Sequence, residues 1–237
     1  MNIKIAHLYY DLMNLYGDSG NVKALKFYLE RQGVKVSVKL LSIDDELNLD
    51  DYDVIYIGSG TENNQKMVLN HLLRYRSKID ELIENNKFFL ITGNALELFG
   101  KEITDMNNST YKALNIFDYT SKQEKKRKVD EALFKCPLIN DYVIGFQNQS
   151  GVMNGNFNLF EVIKGIGSSE NSKFEGIKHK NFYGTYLIGP LLVRNPKFLN
   201  YFIKELIGSK NPKFKLKKVN QKFEIKAYDN VVTKSLN

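Results

Sequence analysis

The first hundred residues contain short, fully apolar or alternating runs separated by helical patterns, and this order constrains the fold more than any other feature. Asn2 to Tyr9 reads as a strand and is followed by the polar loop DLMNLYGDSGN and a helix from about Val22 to Gln32. Gly33 stops that helix, and Val34 to Leu41 alternates as a second strand. Val54 to Ile57 is a third strand running into Gly58-Ser59-Gly60. A long amphipathic helix from about Gln65 to Glu84 leads to a fourth strand, Phe88 to Thr92. Such a β-α-β-α-β order predicts an α/β fold with a mainly parallel central sheet flanked by helices. Three loops leave the carboxyl ends of these strands, Asp11 to Asn21, Gly58 to Asn64 and Gly93-Asn94, and are expected to meet on one edge, where such sheets hold ligands.

Beyond Leu114 the pattern turns strand-rich. Candidate strands are Leu114 to Tyr119, Tyr142 to Gln147, Asn158 to Ile163 and Asn181 to Leu187, with a closing helix from Pro196 to Ile207. No linker or repeat divides the chain. One domain over residues 1–208 and a basic C-terminal tail over 209–237 is the expected organisation.

Charge is unevenly placed. Residues 1–120 carry 13 Lys+Arg against 17 Asp+Glu, and the remainder carries 21 against 10. The excess sits in KQEKKRK (Lys122 to Lys128) and in the tail, and reads either as a site for an anionic partner or as a solvated loop and a frayed tail. With no aromatic-interleaved or recognition-helix pattern beside it, the second reading is preferred and no nucleic-acid partner is expected. No apolar run is long enough for a transmembrane helix. The N-terminus alternates where a signal peptide would need an apolar block, and a single cysteine, Cys136, forms no disulfide framework; both favour a cytoplasmic protein. His7, His71 and His179 show no ligand spacing, so no metal is expected.

The segment KFFLITGNALELFG (Lys87 to Gly100) is a strand, a sharp turn and a helix opening at Ala95. Turns of this kind lift a nucleophile clear of a sheet. Here the turn offers Gly93, which suits its backbone and attacks nothing. Asp18 and Asn21 read equally as helix-entry caps or pocket residues, and Gly58, Ser59 and Gly60 as an anion nest of backbone N–H groups.

Five separated segments, DLMNLYGDSGN, YDVIYIGSGTENNQ, the elbow, GFQNQSG and FEGIKHKNFYGTYLIGPLLVRNP, resemble the CobB/CobQ-type class I glutamine amidotransferases, and within them the GatD-type glutaminase subunits. The resemblance runs from about Ile5 to Leu206. It implies the flavodoxin-like architecture of that class and no cofactor. It also implies a heterodimeric partner, a MurT-like Mur-ligase-type subunit, with which ammonia from glutamine would amidate the D-glutamate of a peptidoglycan precursor. Peripheral association with the membrane-bound precursor would accompany that role.

Two departures bear on activity. The family elbow reads C-G-G-[YF]-Q-x-x-G, and a gapless overlay puts Gly93 at the cysteine; a one-residue shift would put Thr92 there. The family's G-[TS]-Y-x-H-G-P appears as GTYLIGP, so Ile188 stands at the histidine. A thiol without a base lacks the proton transfers that amide hydrolysis requires. The expectation is therefore a pseudoenzyme with a vestigial pocket of Gly58, Gly60, Asn94 and Gln149, retaining at most residual binding of glutamine or an anion. The glutamine of the family elbow appears as Glu97, and a substrate-holding basic residue would fall near Lys126 or Arg127. The alternatives are an active subunit with relocated residues, Thr92 or Cys136 with His179, and a free-standing ligand sensor.

Overall fold

The computed structural model describes residues 1–169 and 172–236. Strands β1 (Asn2–Leu8), β2 (Lys35–Leu41), β3 (Val54–Ile57) and β4 (Phe88–Thr92) alternate with helix α1 (Ser19–Arg31) after β1 and helices α2 (Glu62–Leu72) and α3 (Arg76–Glu84) after β3. Past β4 come β5 (Glu102–Thr104), β6 (Thr110–Lys112), β7 (Tyr119–Cys136), β8 (Asp141–Gly155), β9 (Phe160–Lys164), β10 (Phe174–Glu175), β11 (Ile177–His179) and β12 (Phe182–Thr185). Helices α4 (Leu191–Arg194), α5 (Pro196–Lys210) and α6 (Lys222–Leu236) follow.

The first sheet has the order β11-β12-β4-β3-β1-β2. Every pairing in it is parallel except β11 with β12. Strands β3, β4 and β12 bury both faces, as parallel strands covered by helices must, while the edge strand β2 is largely exposed. Ile3 and Ile5 of β1, Val54 and Tyr56 of β3, and Phe88 and Leu90 of β4 join α1 and α5 in one core cluster. The alternate residues Ala6, Leu8, Ile55, Ile57, Phe89 and Ile91 join α2, α3 and the elbow in the other. A second sheet, β10-β9-β7-β5-β6 with β8 on β7, forms the strand-rich half. The architecture is α/β, as the sequence predicts.

Four expectations are revised. The helix over 65–84 is interrupted by a 3-10 turn at Leu73–Tyr75. The tighter turn re-phases the apolar stripe so that Leu69 and Leu72 before it, and Ile79, Leu82 and Ile83 after it, are all buried. Leu114 to Tyr119 is not a strand. Its backbone N–H groups at Leu114, Asn115, Ile116 and Phe117 bond the carbonyls of Leu98, Phe99 and Gly100, wrapping the segment around the elbow instead of pairing it in a sheet. The basic run lies within β7, paired to β8 on both sides of a register shift between Gln123 and Lys128.

The tail is not frayed. Gln32 exchanges two hydrogen bonds with the backbone of Lys217, at 2.7 and 3.0 Å. In α6 the Tyr228 hydroxyl donates to the Tyr142 carbonyl at 2.6 Å, and Tyr228 and Val232 are buried with Leu133 and Ile144. The spacing of Ile225, Tyr228 and Val232 is helical, and it marked a buried face that the lysine count obscured.

Among the described residues no helix is long and apolar enough to cross a membrane, and no group of three or more His, Cys, Asp or Glu is placed to hold a metal.

Candidate functional site

The three loops at the carboxyl edge of the first sheet do meet. Leu15 donates its N–H to the Ser59 carbonyl at 2.9 Å, and Asn64 donates its side-chain amide to the Leu12 carbonyl at 2.9 Å. The loop after β1 lies so close to the loop after β3 that a Cβ on Gly58 would stand 2.6 Å from the Met13 carbonyl oxygen, which is why a glycine is needed there. Asn94 ties the elbow to the same place. Its Oδ1 accepts from the Gly60 N–H at 2.9 Å and from the Ser59 hydroxyl at 3.2 Å, and its Nδ2 donates to the Gly60 carbonyl at 2.9 Å.

Gly93 directly follows β4 with φ +64°, a left-handed conformation that costs a residue with a side chain about 1–3 kcal/mol. The chain passes from there into a 3-10 stretch, Gly93–Phe99, without the intervening turn the sequence suggests. The space in front of Gly93 is filled. A Cβ added there would meet the Ser59 hydroxyl oxygen at 2.6 Å and Ile188 Cγ2 at 3.1 Å. Ile188 is buried and bridged to β8, its N–H donating to the Phe146 carbonyl at 2.9 Å. The two positions that the sequence singles out, Gly93 and Ile188, are therefore brought together, and Ser59 packs against Gly93 beside them.

The anion nest expected at Gly58-Ser59-Gly60 is not free to bind an anion. The Ser59 N–H donates to Asp18 Oδ2 at 2.6 Å, and the Gly60 N–H is taken by Asn94. Asp18 is fully buried and makes no helix-capping bond; the cap of α1 is supplied by Asn14, whose Oδ1 accepts from the Ser19 N–H at 2.8 Å. Burial raises the Asp18 carboxyl to about 7, against the lowering effect of the Ser59 bond. Asn21 is also a scaffold residue. It donates to the Tyr56 hydroxyl at 2.9 Å and accepts from the Leu192 N–H at 2.8 Å.

Gln149 is buried and faces its own strand, accepting from Gln147 at 3.1 Å and donating to the Gly151 carbonyl at 3.3 Å. Arg127 is held by Glu62, which also accepts from the Ser150 hydroxyl at 2.8 Å. That ion pair closes the β7–β8 hairpin onto the start of α2.

The proposed replacement groups are scattered. The Thr92 hydroxyl is buried against the Tyr56 hydroxyl at 2.8 Å, with no base beside it. Cys136 is buried at the turn end of the β7–β8 hairpin, opposite Asp141, and burial raises its thiol to about 11. His179 hydrogen-bonds Glu84 at 2.8 Å, beside the start of β4. The five residues of β4 separate it from Gly93 by about 16 Å.

Sequence reasoning missed the polar chain behind the elbow. Glu97 is fully buried, accepting from the Tyr186 hydroxyl and from Gln123 Nε2 at 3.1 Å. Gln123 also donates to Gln65 Oε1 at 2.8 Å, and Gln65 Nε2 donates to the Asn94 carbonyl at 2.6 Å. Desolvation raises the Glu97 carboxyl despite these donors. On sequence alone, Glu97 reads as the polar side of a short helix; only its position three residues before Gly100, where the family carries an amide, set it apart.

The chain matches the model of the CobB/CobQ-like glutamine amidotransferase domain over residues 4–196. It is 27% identical to the GatD subunit of the glutamine-hydrolyzing lipid II isoglutaminyl synthase of Streptococcus pneumoniae, covering 99% of this chain and 88% of that relative. Identity to the subunit of the same name from Staphylococcus aureus is also 27%, over 95% of this chain and 93% of the relative. Among solved structures, a glutamine amidotransferase superposes with a TM-score of 0.54 at 12% identity, covering 86% of this chain and 98% of the other. A glutamine amidotransferase from Thermotoga maritima gives 0.52 at 9% identity, over 99% and 92%. These two likenesses carry the fold, and the sequence matches carry the family. With the elbow, the meeting loops and the parallel sheet in place, the chain belongs to the CobB/CobQ-like glutamine amidotransferase family and is GatD-like within it.

Proposed function

We propose that this chain is a GatD-like subunit without glutaminase activity, acting as the non-catalytic partner of a MurT-like, Mur-ligase-type enzyme in amidation of the D-glutamate of a lipid II peptidoglycan precursor. The pathway is carried over from the relatives, whose names assign them to lipid II isoglutaminyl synthase. One observation supports the loss of hydrolysis above all others. Gly93 carries no side chain, and a Cβ there would be crowded by Ser59 and by Ile188, the residue at the position of the base.

Amide hydrolysis by a thiol needs a nucleophile, a base to take its proton and return it to the leaving ammonia, and donors for the oxyanion. Gly93 supplies no side chain and Ile188 no proton. The N–H groups of Ser59 and Gly60 are already bonded to Asp18 and Asn94. A ligase served by such a subunit would draw on free ammonia, and the subunit would contribute binding or stability.

The experiment is ammonia release from glutamine by the purified chain, alone and with a co-expressed Mur-ligase-type subunit. Release no faster than the buffer blank in both samples, together with co-purification of the two chains, is the expected result. Release at an enzyme-like rate would overturn the inactive reading. Failure to recover the ligase would overturn the partnership.

A further inference from the structure

The ordered tail sorts its charge by face. Residues 211–237 carry seven lysines against Glu224 and Asp229. Both acids turn toward the body of the protein: Glu224 accepts from the Tyr28 hydroxyl of α1 at 2.8 Å, and Asp229 stands 3.8 Å from Lys197 of α5. Lys213, Lys215, Lys217, Lys218, Lys222 and Lys226 are exposed, and none of them forms an ion pair among the described residues.

Packing fixes that arrangement. In the arm between α5 and α6, Phe214 and Val219 pack against the core cluster beneath, and Gln32 holds the Lys217 backbone through both its N–H and its carbonyl. The lysines between and beside these anchors are left to project into solvent. Along α6, Gln221, Tyr228 and Val232 are buried. Phe223, Ala227 and Val231, four residues apart, run along the outer side and are exposed. Phe223 is 81% exposed, the barest large apolar side chain among the described residues. It directly precedes Glu224, which lines an apolar groove together with the exposed Phe27 and Val193.

A partner for this face must satisfy two demands at once. Unpaired lysines attract a surface of negative charge, and each is worth roughly fivefold in affinity for an anionic bilayer. A bare phenylalanine among them gains little from a hydrated anion, but the interfacial layer of a membrane takes both the ring and the apolar stems of the lysines. One such signal alone binds a bilayer weakly, whereas charge and an apolar anchor together hold. Because the arm and α6 are already folded, docking costs no ordering of the chain.

We propose that the outer face of the arm and α6 docks on an anionic lipid bilayer, with the lysines at the headgroups and Phe223 inserted between them. The face is separate from the elbow, and its docking rests on neither the loss of glutaminase activity nor the ligase partner.

The test is sedimentation of the full chain with vesicles of equal parts phosphatidylglycerol and phosphatidylcholine, against vesicles of phosphatidylcholine alone. Partitioning at least tenfold stronger onto the anionic vesicles is expected, falling at least tenfold between about 0.1 and about 0.5 M salt. Lys222→Glu with Lys226→Glu should weaken it at least tenfold and Phe223→Ser at least threefold, both at unchanged melting temperature because these side chains are exposed. Lys122→Glu with Lys125→Glu makes the same change of charge at the elbow end of β7 and should alter partitioning less than twofold. Equal partitioning onto the two kinds of vesicle would overturn the proposal, as would parent-like partitioning by the Lys222→Glu, Lys226→Glu protein. An equal loss in the β7 variant would show net charge alone at work and overturn the assignment to this face. Parent-like partitioning by Phe223→Ser would overturn the insertion of its ring. Retention on duplex DNA of arbitrary sequence as tight as on the anionic vesicles would overturn the choice of lipid in favour of nucleic acid.

Discussion

The Ser59 side chain crowds the place that the first carbon of any Gly93 side chain would take, its Cβ at 2.4 Å and its hydroxyl oxygen at 2.6 Å from an ideal Cβ. The glycine and the serine are therefore one feature, and the chemistry of the elbow depends on both.

Substituting the elbow should reveal that dependence. Gly93→Cys is expected to cost about 1–3 kcal/mol from its left-handed backbone alone, plus the displacement of Ser59. Gly93→Cys with Ile188→His should remain without glutaminase activity. Adding Ser59→Gly should restore part of the lost stability, with a coupling energy of about 1 kcal/mol or more between positions 59 and 93. Urea denaturation of the parent, Gly93→Cys, Ser59→Gly and the Ser59→Gly, Gly93→Cys double variant measures it, and purely additive changes would contradict the steric account.

Asn94 is predicted to be the main tie across the sealed edge. Asn94→Ala removes the acceptor of the Gly60 N–H and the donor to the Gly60 carbonyl, and should destabilise the protein by about 2–3 kcal/mol. Hydrogen exchange at Gly60 should accelerate in step; protection as in the parent would mean that the N–H has another partner.

Two buried carboxyls should pull stability down as pH rises between about 4 and 7, against the opposite pull of the buried His7, whose value lowered to about 4 adds stability over the same range. Asp18 and Glu175 are both buried carboxyls raised to about 7, so their folded values lie above their unfolded ones. Their contribution is full below the unfolded value and lost as pH rises through the folded one. For Asp18 the complete loss is on the order of 4 kcal/mol. Asp18→Asn keeps an acceptor for the Ser59 N–H and should remove the Asp18 share, so that the variant gains stability relative to the parent as pH rises through this range. Denaturant midpoints across that range, identical in slope for parent and variant, would exclude Asp18 as a source.

Truncation after Lys210 should be costly. It strips Tyr228 and Val232 from Leu133 and Ile144, an apolar loss of about 3 kcal/mol or more. Tyr228→Phe, which removes only the bonds to Asp141 and Tyr142, should cost about 1 kcal/mol. A truncated protein as stable as the parent would mean that α6 only rests on the surface.

The sheet was legible in the sequence because its strands are short, apolar and punctuated. Val54–Ile57 and Phe88–Thr92 were placed to the residue, and the meeting of three loops followed from strand direction alone. What could not be read was set by contacts distant in sequence. Leu114 to Tyr119 has strand composition, yet its hydrogen bonds go to the elbow. The glycine-rich Gly58-Ser59-Gly60 has the composition of an anion nest, and two side chains from other loops close it. Lys122 to Lys128 looks like a solvated loop because its charge hides the strand pairing. The pair Gly93 and Ile188 is legible because each stands at a motif position; that Ser59 crowds Gly93 as well is set by a loop distant in sequence.

The hydroxyl of Tyr28 in α1 donates to Glu224 in α6 at 2.8 Å, across 196 residues of chain. At ribosomal rates of about 5–20 residues per second, Tyr28 is synthesised some 10–40 s before its partner exists. For that interval α1 can settle on the first sheet while its outer edge stays uncovered. Completion of the fold is thus a late event in synthesis, and the window before it is when a chaperone has most to hold.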